Sequence, residues 1–131
     1  MSLTLDQALK LIDHARGAGA AQGLSVAAAV VDAGGRLIAC ARGDGVGYVH
    51  TAVAERKAAT AVNFKAPTHA LLEMLKADPV ALAAVMSETT LCALPGGFPI
   101  VVEGVLIGGF GVAGAHYSQD QAIGERAIAA P

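Results

Sequence analysis

The sequence predicts an α+β domain in which helices pack against one antiparallel sheet. Three observations predict it. Residues 24–42 and 99–112 each read as two apolar runs folded back at a short turn. Capping patterns open helices near both ends of the chain, Thr4 with Gln7 and Ser118 with Gln121. The connection between the two hairpins is itself helical, so the order is helix, hairpin, helices, short strand, hairpin, helix.

The elements follow in chain order. After Thr4, Leu5, Ala8, Leu9, Ile12 and Ala15 recur at helical spacing with Asp6 in the first turn, and the helix fades across residues 17–23. Residues 24–32 are small or β-branched and apolar, which fits a strand covered on both faces. Asp32-Ala33-Gly34-Gly35 is the turn, and residues 36–42 return. A glycine-rich loop at 43–47 leads to a helix from about Tyr48 to Phe64, with Val49, Ala52, Val53 and Ala59 as its apolar face. Pro67 ends it. Thr68 caps a short helix through Lys76, and Asp78-Pro79 opens another to about Met86. Thr89–Ala93 reads as a short edge strand. Residues 99–102 and 105–112 form the second hairpin around Glu103-Gly104. The last helix runs to about Ala129 with Ile123, Ala127 and Ile128 inward.

At 131 residues the chain is expected to form one domain, 1–131, with no repeat or linker. It is 54% hydrophobic but only 4% aromatic, so the core must come from Ala, Val, Leu and Ile. Such a domain leaves apolar surface, which predicts a homo-oligomer. A net charge of −2 with no basic stripe argues against nucleic acid. No apolar run is long enough to span a membrane, no signal peptide is evident, and Cys40 and Cys92 are isolated. A cytoplasmic location follows as the expectation.

The chemistry concentrates where glycine does. Seven of the twenty residues from Pro95 to Gly114 are glycine. Bare main chain at Pro95-Gly96-Gly97 and around Ala113-Gly114 is expected to wall a ligand cavity, with successive backbone N–H groups forming an anion-binding lip. Arg42, ending a strand, and Lys57, inside an apolar helix, are the cations placed to hold a carboxylate; salt bridges to Asp32, Asp44 or Glu55 are the plainer reading. His50 and His116 could reach the cavity mouth, whereas His14 and His69 have less to recommend them. No histidine pair has zinc-ligand spacing, so no metal site is expected. Asp44, Glu55 and Asp120 are the carboxylates available for proton transfer, although helix capping alone accounts for Asp120.

Six stretches, taken together, resemble the GlcG/HbpS-like family. They are Val31–Leu37, Arg42-Gly43-Asp44-Gly45, Lys57-Ala58-Ala59-Thr60-Ala61, Pro95–Ile100, Ile107–Gly114 and Gln119-Asp120. They cover nearly the whole chain in order. The resemblance implies a profilin-like fold with a five-stranded antiparallel sheet, assembly into dimers or larger oligomers, and haem or a small organic acid as ligand. The chain departs from the family in two places. Ala113 stands where the family has a serine in Gly-Val-Ser-Gly, and Gly124 stands where alanine is usual. No leader like that of exported haem-binding members is expected.

The function these readings favour is a cytosolic small-ligand-binding protein with haem or an organic acid in the glycine-lined pocket. An alternative is a cofactor-free lyase or isomerase of a small carboxylate. There Arg42 or Lys57 would fix the acid, and His50 or Glu55, with Lys57 a further candidate, would move a proton. A purely structural oligomer is the third reading.

Overall fold

The computed structural model describes residues 2–131. Five helices surround a four-stranded antiparallel sheet: α1 (Leu5–Ala20), β1 (Ala27–Asp32), β2 (Leu37–Arg42), α2 (Val49–Phe64), α3 (Thr68–Lys76), α4 (Pro79–Met86), β3 (Gly97–Val102), β4 (Val105–Ala113) and α5 (Tyr117–Ala129). The strand order is β2-β1-β4-β3, so β1 and β4 are central. The hairpin turn Glu103-Gly104 has both residues at positive φ, 52° and 77°, as a tight two-residue turn requires.

Alternation along the central strands divides the core. Ala28, Val30, Phe110 and Val112 pack with Phe98 against Ala8, Ile12, Ala15, Ile123 and Ala127 of α1 and α5. On the opposite face, Ala27, Ala29 and Ala113 meet Ala54, and Val31 meets Ala58 and Val62 of α2. The sheet is thus covered on both sides, which is why residues 27–31 are apolar without interruption.

Several expectations are corrected. The sheet has four strands, not five. Residues 89–93 form no strand, and the Cys92 N–H donates instead to Thr60 Oγ1 of α2 at 2.8 Å. On α2 the buried face is Ala54, Lys57, Ala58, Ala61 and Val62 rather than Val49, Ala52, Val53 and Ala59. The smallest side chains face the sheet because the helix lies so close to it. On α1 the capping box forms as expected, but Ala8, Ile12 and Ala15 turn inward while Leu5 and Leu9 stay exposed. Ile128 is also exposed. The last capping box is shifted two residues: His116, not Ser118, caps α5, with Gln119 reaching back. Thr68 is the first residue of α3 rather than its cap. Its hydroxyl donates to Leu94 O and accepts from the Gly97 N–H, both at 2.8 Å, tying α3 to the entry of β3.

Candidate functional site

Gly97, Gly109 and Gly111 of β3 and β4 admit a helix, not a ligand. A Cβ on Gly111 would lie on the carbonyl oxygen of Ala54, one on Gly97 on that of Lys57, and one on Gly109 2.5 Å from that of Ala58. Gly97 faces Gly111 across the β3–β4 ladder, and Gly109 faces Pro99. The bare strip therefore lets the α2 backbone settle onto the sheet. Two backbone groups of the anticipated lip are engaged as well. The Gly97 N–H donates to Thr68, and Gly96 O accepts from the Val112 N–H at 2.9 Å. Pro95, Gly96 and Gly97 are all buried.

Lys57 does reach this turn, but as a structural element. Its side chain is 1% exposed, and its ammonium donates to Val112 O at 2.8 Å and to Asp120 Oδ2 at 3.1 Å. The other Asp120 oxygen accepts from the Ala115 N–H at 3.1 Å. Gly96, at φ +123°, lies over the pair; a Cβ there would be 3.0 Å from Lys57 Nζ. Burial pushes the Asp120 carboxyl above the usual range, against the lowering pull of Lys57, of the Ala115 N–H and of the His50 imidazole. A cation held this way is not free to bind a substrate carboxylate.

The remaining candidates disperse. His50, near the start of α2, is half-buried, and its charge is the smallest of the influences lowering Asp120. His116 is exposed, its Nδ1 2.7 Å from Ser118 Oγ and its ring stacked on Tyr117 at 4.1 Å. Arg42 is exposed at the end of the edge strand β2 and forms no ion pair among the described residues. Asp44 and Gly114 flank the loops at the same end of the sheet. Ala113 faces Ala54, so the missing serine hydroxyl leaves an apolar contact with α2. Gly124 has a steric cause, because a Cβ there would overlap the Phe98 ring.

Glu55 is the candidate that opens onto free space. With Arg56 it lines a groove of ≈ 520 Å³ between the outer face of α2 and the segment carrying Thr89 and Thr90, with Gly35, Ala52 and Ala59 as small-residue walls. The same Glu55 charge, after burial, helps push the Cys40 thiol of β2 up. Arg56, Thr89 and Thr90 were not singled out by the sequence. Arg56 was legible only as a charge adjoining Glu55 on the polar side of a helix, and the threonines were concealed by their strand-like pattern. A second, apolar cleft of ≈ 200 Å³ lies between α1, α5 and the second hairpin, with His14 and Lys10 in its wall.

A family model described as "Haem degrading protein HbpS-like" matches residues 3–129. The corrinoid adenosyltransferase PduO of Citrobacter freundii is 35% identical over 107 residues, which are 80% of this chain and 32% of that protein. The chain thus spans about a third of that relative, and 63% of Protein GlcG of Escherichia coli. The crystal structure of HbpS superposes with a TM-score of 0.89 at 35% identity, covering 98% of this chain and 89% of that one. The crystal structure of a PduOC:heme complex does so with a TM-score of 0.88 at 28% identity, covering 98% and 94%. Among the described residues no helix is long and apolar enough to cross a membrane, and no three His, Cys, Asp or Glu gather to hold a metal ion.

Proposed function

The chain belongs to the HbpS-like family, and on that premise we propose that it binds a carboxylate-bearing small molecule, haem through its propionates or a free organic acid, in the groove between α2 and Thr89-Thr90. The observation that carries this reading is the lining of the groove: the Arg56 guanidinium and two threonine hydroxyls, with the Glu55 carboxylate beside them and small-residue walls, around ≈ 520 Å³, within the usual size range of ligand pockets. Arg56 offers paired N–H donors to a carboxylate, and Thr89 and Thr90 offer further donors. The PduOC:heme neighbour supports haem as one source of that carboxylate.

The lining residues fit the propionate end of haem. They do not include the imidazole, thiolate, thioether or phenol that ordinarily ligates its iron, so an axial ligand would come from outside the groove. Bound haem would supply a redox-active iron; the chain's own part is to hold the carboxylates and wall the ring. A second copy of the chain is the proposed partner. That reading is supported by α4, which buries none of its residues and leaves Val80 and Met86 exposed, as Met74 of α3 is.

Titration with hemin, followed at the Soret band, and with glycolate, followed by calorimetry, tests the reading and separates the two sources. Arg56→Ala should weaken the true ligand about tenfold, the worth of a charge-assisted hydrogen-bond pair. Saturable binding of either ligand that is indifferent to Arg56→Ala would overturn the groove as the seat.

A further inference from the structure

The cleft on the opposite side of the sheet has a chemistry of its own. Gln7, Lys10, Leu11 and His14 of α1 line it, spaced so that all four share one helix face. Its floor comes from the second hairpin. The β3–β4 register slips between Ile100 and Val101, leaving Ile107 as the extra residue of a bulge, and both Ile100 and Ile107 line the cleft. Bulges re-aim side chains in this way beside binding sites. Ile128 of α5 forms the far wall and is left exposed.

Two properties of this lining select an occupant. The side-chain charge is one-sided: Lys10 contributes an ammonium and His14 an imidazole, and no aspartate or glutamate side chain lines the cleft, whose remaining wall includes Ala130 and Pro131. An anionic head is therefore complementary and a cationic one is not. Apart from the Gln7 amide, the rest of the lining is aliphatic, with no Phe, Tyr or Trp, and the volume of ≈ 200 Å³ lies below the ~300 Å³ at which drug-sized pockets begin. A porphyrin exceeds it, and a short unbranched chain does not.

We propose that this cleft is a second ligand site, which binds a short- to medium-chain aliphatic carboxylate, its head between Lys10 and His14 and its tail along Leu11, Ile100, Ile107 and Ile128. The site is separate from the Arg56 groove and does not depend on it.

Octanoate titrated into the isotope-labelled full chain, followed by amide shifts, tests this. The expected result is saturable movement of the amides of Gln7, Lys10, His14 and Ile107. Lys10→Glu, at an exposed position, should weaken octanoate about tenfold, and 1-octanol, which keeps the tail and loses the charge, should bind about tenfold more weakly. Arg56→Ala should leave the octanoate-induced shifts of Gln7, Lys10, His14 and Ile107 unchanged, so loss of the groove reading would not erase this one. Octanoate that moves no amide of this set at millimolar concentration would overturn the proposal. Equal affinity for octanol and octanoate, together with indifference to Lys10→Glu, would overturn it too.

Discussion

Lys57 Nζ lies 3.1 Å from Asp120 Oδ2 across 63 residues of sequence, and the two side chains are 1% and 3% exposed. The pair joins α2 to the start of α5, and through Val112 O to the end of β4. Removing one member leaves the other charge buried alone, which typically costs ~3–5 kcal/mol. Lys57→Met should therefore lower the unfolding free energy by about that amount, read as a drop in urea midpoint. Arg56→Ala, one residue away on the exposed face, should shift it by less than ~0.5 kcal/mol.

The same pair sets a pH dependence. Burial raises the folded-state pKa of Asp120 above its ordinary value despite Lys57. Between the unfolded and folded pKa values the native state therefore binds more protons than the unfolded chain. The Asp120 contribution to stability is greatest below the unfolded value of ~3.9 and falls as pH rises through the folded pKa. Urea titrations of wild type and Asp120→Asn should show the wild-type curve losing ground to the variant as pH rises from about 4. A wild-type advantage that grows with pH over that range would contradict the account.

Glycine substitutions should sort by what lies in front of them. At Gly111 a Cβ meets the Ala54 carbonyl, which belongs to helix backbone and cannot move aside. Gly111→Ala should destabilise by ~3 kcal/mol or more, at or beyond the upper end of overpacking costs. Gly104 faces open space, and only its φ of +77° resists a side chain, so Gly104→Ala should cost about 1 kcal/mol. Thermal or urea unfolding of the two variants gives the order directly. Gly124→Ala should fall between the two, because the Phe98 ring it meets is a side chain that can shift.

Much of the fold was legible because local chemistry and tertiary packing agree. The α1 capping box, the Glu103-Gly104 turn and the uninterrupted apolar run of β1 are each local signals that survive in the structure. Failures arose where a tertiary partner decided the outcome. Thr68 looks like a helix cap until Leu94 and Gly97 claim its hydroxyl. Thr89–Ala93 looks like an edge strand until Thr60 takes the Cys92 N–H. The candidate site was legible only in part, for a related reason. Glycine density marks a close approach, and nothing in the residues themselves says whether a ligand or a helix is the approaching body. Lys57 was correctly placed beside the glycine turn, yet its partner Asp120 was already accounted for as a helix-end acid. Glu55 was singled out as a proton-transfer candidate, while Arg56 beside it read only as one more charge on the helix.

The most direct test of the account uses the iron of hemin as a paramagnetic probe, read as line broadening of assigned amides in the full chain. The account predicts broadening centred on Gly35, Ala52, Glu55, Ala59, Thr89 and Thr90, the lining of the Arg56 groove. Broadening centred instead on Gly96, Gly97, Gly114 and His116, with residues 52–59 unaffected, would contradict it and return the ligand to the glycine turn.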